Sequence, residues 1–119
     1  MKIRIQGNSV RLRLSQQEVD DIGRFNSVEE ITQFPRNSFT YRLKTHASGS
    51  MIESSFEENK ITFSVNKDVA KNWATTDLVG FQSEQNEIPF ILIEKDFKCL
   101  TDRPLEDESD LFPNPNISC

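Results

Sequence analysis

Histidine and cysteine, which serve as nucleophiles, proton carriers and transition-metal ligands, are scarce in this chain. His46 is the only histidine, and Cys99 and Cys119 are the only cysteines. These three side chains could meet as ligands of a zinc ion, but no CxxC pair or other close ligand spacing supports such a site. A single imidazole with no cysteine near it in the sequence is usually inert. We therefore predict no catalytic residue, no metal site and no enzymatic activity.

Acidic residues are concentrated near the end of the chain. Their carboxylates could chelate a hard cation, but the spacing and the glycine of an EF-hand loop are missing from this segment. The four glycines of the sequence are not grouped, so a glycine-rich phosphate loop is missing as well. We predict a solvated acidic loop that binds no cofactor, with the acids Glu106, Asp107, Glu108 and Asp110.

Basic residues alternate with apolar residues at the start of the chain. Residues 2–5 and 10–14 alternate strictly, which is typical of strands with one apolar face. Gly7 and Asn8 lie between these runs and tolerate the backbone angles of a tight turn. The pattern predicts a β-hairpin with one apolar face and one basic face. The basic face consists of Lys2, Arg4, Arg11 and Arg13.

The residues after the hairpin predict a short helix and two further strands. Ser15 and Glu18 have the spacing of a helix capping box, and the helix is expected to stop near Gly23. Residues 28–34 and 39–43 have the composition of strands, and residues 35–38 have that of a turn. The order of this first unit is β-β-α-β-β.

The same order recurs with an offset of 51 positions. Leu12 then falls on Phe63 and Ile22 on Trp73, so we expect Phe63 and Trp73 to pack in the core. The register continues without a gap through the pairs Val28/Val79, Phe39/Phe90, Tyr41/Leu92 and Lys44/Lys95. The alternative is that two hairpin-helix units merely share a periodicity.

We predict a mainly β fold with two short helices, in which duplicated β-β-α-β-β units close on each other as an intramolecular pseudo-dimer barrel. The first repeat covers residues 1–46 and the second covers residues 47–96, with a small polar linker at residues 45–51. An acidic, proline-containing tail follows at residues 97–119, and the whole chain forms one compact domain. Residues 1–46 carry eight basic and five acidic side chains, a net +3, whereas residues 47–95 and 96–119 each carry a net −4.

The first hairpin, KIRIQGNSVRLRL over residues 2–14, resembles the opening of AbrB/MazE-type swapped-hairpin proteins, with their Gly-Asn-Ser turn followed by an Arg-Ile-Pro strand. Residues 59–69, NKITFSVNKDV, with Trp73 and residues 77–79, are similar to the later strand, helix and strand of that family. Members normally carry one unit and dimerise, so the resemblance implies a fused pair over residues 2–95. The family's proline is missing, since Ser15 and Asn66 stand in its place.

The resemblance implies that the hairpin binds DNA through Lys2, Arg4, Asn8, Ser9, Arg11 and Arg13. Only the first copy is basic, because the positions that match its four cations are Glu53, Ser55, Thr62 and Ser64. Fewer phosphate contacts weaken the salt-dependent part of the affinity, so we expect DNA binding to require a homodimer with two first copies on the duplex. The alternative is a basic face that is only solvated, or paired with acids of the other copy.

The tail supports a second interpretation, because it resembles the toxin-binding tails of MazE-like antitoxins. Such an arm would bind a basic protein surface through the anchors and acids Leu105, Glu106, Asp107, Glu108, Asp110, Leu111 and Phe112. The alternative is that the tail folds back over its own domain and covers the basic face. That arrangement would block DNA binding.

We predict a cytoplasmic protein without membrane contact, because the start of the chain is unlike a signal peptide and no apolar run approaches the ~20 residues of a membrane span. Two cysteines without an export signal fit reduced thiols. The predicted function is non-catalytic binding, by an AbrB/MazE-like DNA-binding regulator or antitoxin. The alternative is a protein-interaction module that acts through the tail without binding DNA. We expect either a monomer with pseudo-dimer symmetry or a homodimer.

Overall fold

The chain is described by a computed structural model that covers residues 1–47, 49–98 and 109–113. It has the predicted mainly β architecture with two helices. The first half contains β1 (Lys2–Gln6), β2 (Ser9–Leu14), α1 (Gln16–Phe25), β3 (Ser27–Gln33) and β4 (Ser38–His46). The second half repeats this order with β5 (Ile52–Glu57), β6 (Lys60–Asn66), α2 (Lys67–Thr75), β7 (Gly80–Gln82) and β8 (Phe90–Lys95).

The strands form two separate four-stranded sheets that are not closed into one. The first sheet has the order β1-β2-β8-β7, and the second has the order β3-β4-β6-β5. Each sheet therefore joins a hairpin from one half of the chain to a hairpin from the other. The joints are the parallel pairs β2/β8 and β4/β6, whereas all hairpin partners are antiparallel. Neither half of the chain could therefore form either four-stranded sheet alone.

Local sequence signals account for the turns and helix ends. Gly7 has a positive φ of 54° in the first hairpin turn, and Glu58 and Asn59 have φ values of 50° and 63° in the matching turn between β5 and β6. The predicted capping box is confirmed at α1, where the Ser15 and Glu18 side chains each accept a hydrogen bond from the other residue's backbone N–H. These signals explain why both halves begin with a hairpin that leads directly into a helix.

The hydrophobic core lies between the inner faces of the two sheets and the helices. Phe63 and Trp73 are fully buried, as predicted. The indole Nε1–H of Trp73 donates to the carbonyl of Val79 at 3.0 Å, and its ring meets the ring of Phe81 edge to face at 5.4 Å. Gly80 lies beside this contact, where a Cβ atom would come within 2.5 Å of the Ile93 carbonyl oxygen. The close approach of β7 to β8 therefore requires a glycine.

An offset of 51 relates the first residues of β2 and β6 and of α1 and α2, but it does not relate the strands that follow the helices. Val28 pairs with Leu43 in β4, whereas Phe81 pairs with Ile93 in β8. Ile93 takes the place of Leu43, at an offset of 50, because Ile93 pairs with Leu12 and Leu43 pairs with Phe63. By the same comparison Phe81 takes the place of Val28, at an offset of 53. The prediction that Val28 matches Val79 is wrong, and so are the pairs Phe39/Phe90, Tyr41/Leu92 and Lys44/Lys95. The connections on either side of β7 differ in length from their counterparts around β3, so a constant offset cannot continue.

Candidate functional site

The four predicted basic residues lie together on the outer face of the first sheet. Arg4 is the cross-strand partner of Arg11, and Lys2 is the partner of Arg13, so the four side chains occupy two adjacent strands about 5 Å apart. They border a shallow cleft of about 220 Å³. We call Lys2, Arg4, Arg11 and Arg13 the basic face. The structure therefore brings together the cations that the alternation of the first hairpin predicted.

Two acidic residues from the other half of the chain partly neutralise the basic face. The parallel pairing of β2 with β8 sets Glu94 beside Arg13, and the Glu94 Oε1 atom lies 3.1 Å from the Arg13 Nε and 3.4 Å from the Arg11 Nε. The Lys2 Nζ lies 3.0 Å from the Asp96 Oδ2. Four positive and two negative charges leave a net +2 on this face. Arg4 is exposed and has no ion pair among the residues that the structure describes.

Asn8 and Ser9, the remaining predicted DNA-binding residues, lie at the tip of the same hairpin. Both are exposed, and Ser9 is the cross-strand partner of Gln6. The carbonyl oxygen of Asn8 accepts a hydrogen bond from the Phe90 N–H at 2.8 Å, which ties the turn to β8. The hairpin tip is therefore held by the first sheet while its side chains face solvent.

The corresponding positions of the second half lie on the outer face of the second sheet, as the alternation predicts. Glu53 pairs with Ser64, and Ser55 pairs with Thr62. Sequence reasoning missed the two cations that share this face, because they belong to the first half of the chain. Arg42 and Lys44 on β4 pair with Thr62 and Ser64 across the parallel β4/β6 joint. The alternation of Thr40, Arg42 and Lys44 in the sequence was the available signal.

The described part of the tail, residues 109–113, packs against the chain itself. Leu111 is 5% exposed, and Phe112 is partly buried against the core. The Phe112 N–H donates to the Asp96 carbonyl at 2.9 Å, and the Phe112 carbonyl accepts from the Lys98 N–H at 2.8 Å. The Phe112 ring centroid lies 5.9 Å from that of Phe97. Other tail residues named above lie outside the described residues: Cys99, Leu105, Glu106, Asp107, Glu108 and Cys119.

Asp110 lies at the start of α1 and not on the basic face. Its carbonyl accepts from the Gln16 N–H at 3.0 Å, and its Oδ2 accepts from the Gln17 N–H at 3.3 Å. A carboxylate at this position satisfies amides that the first helical turn leaves unpaired. Asp110 therefore fixes the docked segment to α1.

Two further titratable side chains, Lys95 and His46, are buried or partly buried. Lys95 is 7% exposed, donates from Nζ to the Thr76 carbonyl at 2.7 Å and lies 5.4 Å from the centre of the Phe112 ring. Burial lowers the pKa of Lys95, and the Asp77 carboxylate opposes this shift. His46 lies at the end of β4 and is partly buried. Within the described ranges, no three His, Cys, Asp or Glu side chains are grouped so that they could hold a metal ion.

The N-terminal ammonium of Met1 is buried between two carboxylates. It pairs with Glu18 and, at 3.0 Å, with Glu30, while the Tyr41 hydroxyl donates to the Met1 carbonyl at 2.7 Å. Burial alone would raise the pKa of Glu18, but hydrogen bonds from the ammonium and from Ser15 outweigh it and leave the pKa below its usual value of 4.5.

The Glu18 contacts predict an acid-sensitive contribution to stability. Because the pKa of Glu18 is lower in the folded chain, this contribution is complete above the unfolded pKa near 4.5 and is lost as the pH falls through the folded pKa. Glu18→Gln should lower the free energy of unfolding by about 1–2 kcal/mol at neutral pH. It should also make the decrease in that free energy between neutral pH and pH 3 smaller. Urea unfolding from neutral pH to pH 3 measures both effects.

Asp20→Asn is the matched control, because Asp20 is 58% exposed and, among the described residues, forms an ion pair with Arg24 alone, at 3.5 Å. It should change stability by less than about 0.5 kcal/mol. The prediction would be contradicted if the free energy of unfolding fell by the same amount between neutral pH and pH 3 in Glu18→Gln and in the unmodified chain.

Comparison with known protein families yields a match over most of the chain. A family model described as a family of unknown function (DUF7009) matches residues 1–116. No curated protein and no solved structure matches the chain. Across the part of the chain that is described, no helix has the length and apolar character needed to cross a membrane.

Proposed function

The chain belongs to the DUF7009 family of unknown function, and we propose that it is a non-catalytic nucleic-acid-binding protein that contacts phosphates through its basic face. The supporting observation is that Arg11 and Arg13 share the single carboxylate of Glu94, while Arg4 has no acidic partner among the described residues. Sharing one carboxylate leaves positive charge and free guanidinium N–H groups on the face. These groups can bind phosphate oxygens.

The shape of the hairpin is compatible with this role. The basic face lies on two adjacent strands of the four-stranded first sheet, so its cations can contact phosphates along one side of a duplex. The exposed side chains of Asn8 and Ser9 lie at the hairpin tip beside this face, where they could approach base edges. We therefore assign phosphate binding to the basic face and base contacts to the tip.

We further propose that the two halves are duplicated units that form an AbrB/MazE-like swapped-hairpin pseudo-dimer. Exchanging β1 through β4 for β5 through β8 converts the strand order of one sheet into that of the other. Matching hydrogen bonds accompany this exchange, since Phe90 N–H donates to Asn8 and Thr40 N–H donates to Asn59. Because only one half carries the basic face, symmetric binding to duplex DNA would use a homodimer.

Partner binding through the tail is a weaker interpretation for its described part. Leu111 and Phe112 contact the chain itself, and Asp110 is bonded to the start of α1. These residues would have to leave their positions before they could bind another protein.

Removing the cations of the basic face is expected to weaken DNA binding and its salt dependence together. For three phosphate contacts, the affinity of the unmodified chain should fall about 20-fold when salt rises threefold. Replacing Arg4 and Arg11 by alanine should remove about two phosphate contacts, so the logarithm of the affinity should fall less steeply with the logarithm of the salt concentration. Fluorescence anisotropy with a labelled duplex at several salt concentrations measures both quantities.

Arg24→Ala is the control for this experiment, because Arg24 is an exposed cation on α1 that pairs with Asp20. It should leave affinity and slope unchanged. Binding that is independent of salt, no binding at low salt, or equal loss in the Arg24 variant would refute the proposal.

A further inference from the structure

We infer that the outer face of the second sheet holds an oxyanion-binding site centred on Arg42, whose ligand is a phosphate or a small phosphate monoester. This site is separate from the basic face, which belongs to the first sheet. Its residues come from β4, β5 and β6. It does not depend on the nucleic-acid proposal.

Strand register places two cations and three hydroxyl groups side by side on this face. Arg42, Thr62 and Ser55 form one row across β4, β6 and β5, and Lys44, Ser64 and Glu53 form the adjacent row. Neighbouring strands are about 5 Å apart, so an anion above β6 can reach side chains from both rows. The two cations and the three hydroxyl residues line a cleft of about 370 Å³.

The Arg42 guanidinium has no ion pair among the residues that the structure describes, and its Nε atom has no hydrogen-bond partner among them. Its cross-strand neighbour in β3 is Glu29, but the Glu29 carboxylate pairs with Lys60 at 3.1 Å. Arg42 lines the cleft, and a planar guanidinium that has no ion pair can bind a tetrahedral oxyanion through two parallel N–H groups.

The charges around the cleft favour a small anion over a nucleic-acid backbone. Glu57 and Glu58 line the cleft together with Arg42 and Lys44. A long polyanion would bring further phosphates against these carboxylates, whereas a single phosphate needs only the cationic end. The same site does not exist on the first sheet, where Leu92 and Glu94 occupy the positions that correspond to Arg42 and Lys44 at the offset of 50.

The test is an amide NMR titration of the full chain with inorganic phosphate and, separately, with O-phosphoserine, each at constant ionic strength. Saturable shifts should appear around Arg42, Thr62 and Ser64 at millimolar ligand. Arg42→Met should weaken binding at least about tenfold, and Thr62→Val should weaken it by a factor of about three. Arg24→Met is the matched control and should bind as the unmodified chain does. Tighter binding of O-phosphoserine would identify an organic monoester as the ligand, and equal or tighter binding of inorganic phosphate would identify the free ion.

Three results would overturn the inference. They are the absence of saturable shifts up to about 20 mM ligand, unchanged affinity in Arg42→Met, and shifts that centre on Arg4 and Arg11. Duplex DNA binding by Arg42→Met should equal that of the unmodified chain. A failure of this site and a failure of the basic face can therefore be told apart.

Discussion

Replacing Trp73 by alanine is expected to lower the free energy of unfolding by about 3–5 kcal/mol. The side chain is fully buried within the hydrophobic core. Alanine would leave a cavity beside Phe81, whose ring meets the indole at 5.4 Å. It would also leave the Val79 carbonyl without the donor that now lies 3.0 Å away. The buried apolar area, the ring contact with Phe81 and the hydrogen bond to Val79 are thus all lost at one position.

Urea unfolding followed by far-ultraviolet circular dichroism measures this effect without relying on tryptophan fluorescence. Trp73→Phe keeps most of the buried area and loses mainly the hydrogen bond, so it should cost about 1–2 kcal/mol. Leu78→Ala is the control at a 40% exposed position, where a change below about 1 kcal/mol is expected. A cost below 1 kcal/mol for Trp73→Ala would mean that the indole is not packed as described.

The features that could be predicted from the sequence are those that neighbouring residues decide. The alternation in the first hairpin correctly placed Arg4 and Arg11 on one outer face, because side chains alternate along any strand. Ser15 and Glu18 correctly predicted the start of α1, because a capping box is complete within four residues. The burial of Trp73 followed from its match with Ile22 in the other half.

Strand pairing between the halves could not be predicted, because its determinants lie far apart in the chain. Arg13 meets Glu94 across the parallel β2/β8 joint, and no local pattern links these two positions. The sequence offset also failed after the helices, since loop lengths vary freely when the strands they connect still pair. Val79 therefore matched Val28 in sequence but not in the sheet, where Phe81 takes that place.

The exchange of hairpins also explains why the charge of each half did not predict the charge of each face. The first half is basic and the second half is acidic. Since each outer face takes strands from both halves, Glu94 enters the basic face, and Arg42 and Lys44 enter the face that carries Glu53. Charge is therefore mixed on both faces, and ligand binding depends on which cations stay unpaired. Arg4 and Arg42 have no ion pair in the described part of the chain, which is why both proposals centre on unpaired arginines.

Replacing Leu111 and Phe112 together by alanine is expected to lower the free energy of unfolding by about 2–4 kcal/mol. Leu111 is buried, and the Phe112 ring covers Lys95 and contacts Phe97. The loss is limited by the free energy with which residues 109–113 dock, because a short segment can detach without unfolding the sheets. Thermal and urea unfolding measure the change.

Phe25→Ala is the matched control, since Phe25 is an aromatic residue that is 69% exposed; it should change stability by less than about 1 kcal/mol. Equal stability of the double variant and the unmodified chain would show that residues 109–113 are not docked in solution. Leu111 and Phe112 would then be available to bind another protein. A loss of the expected size means that these two side chains stabilise their own domain, so that any partner would have to compete with α1 and β8 for them. The stability of the double variant therefore distinguishes a structural segment from an interaction arm before any partner is known.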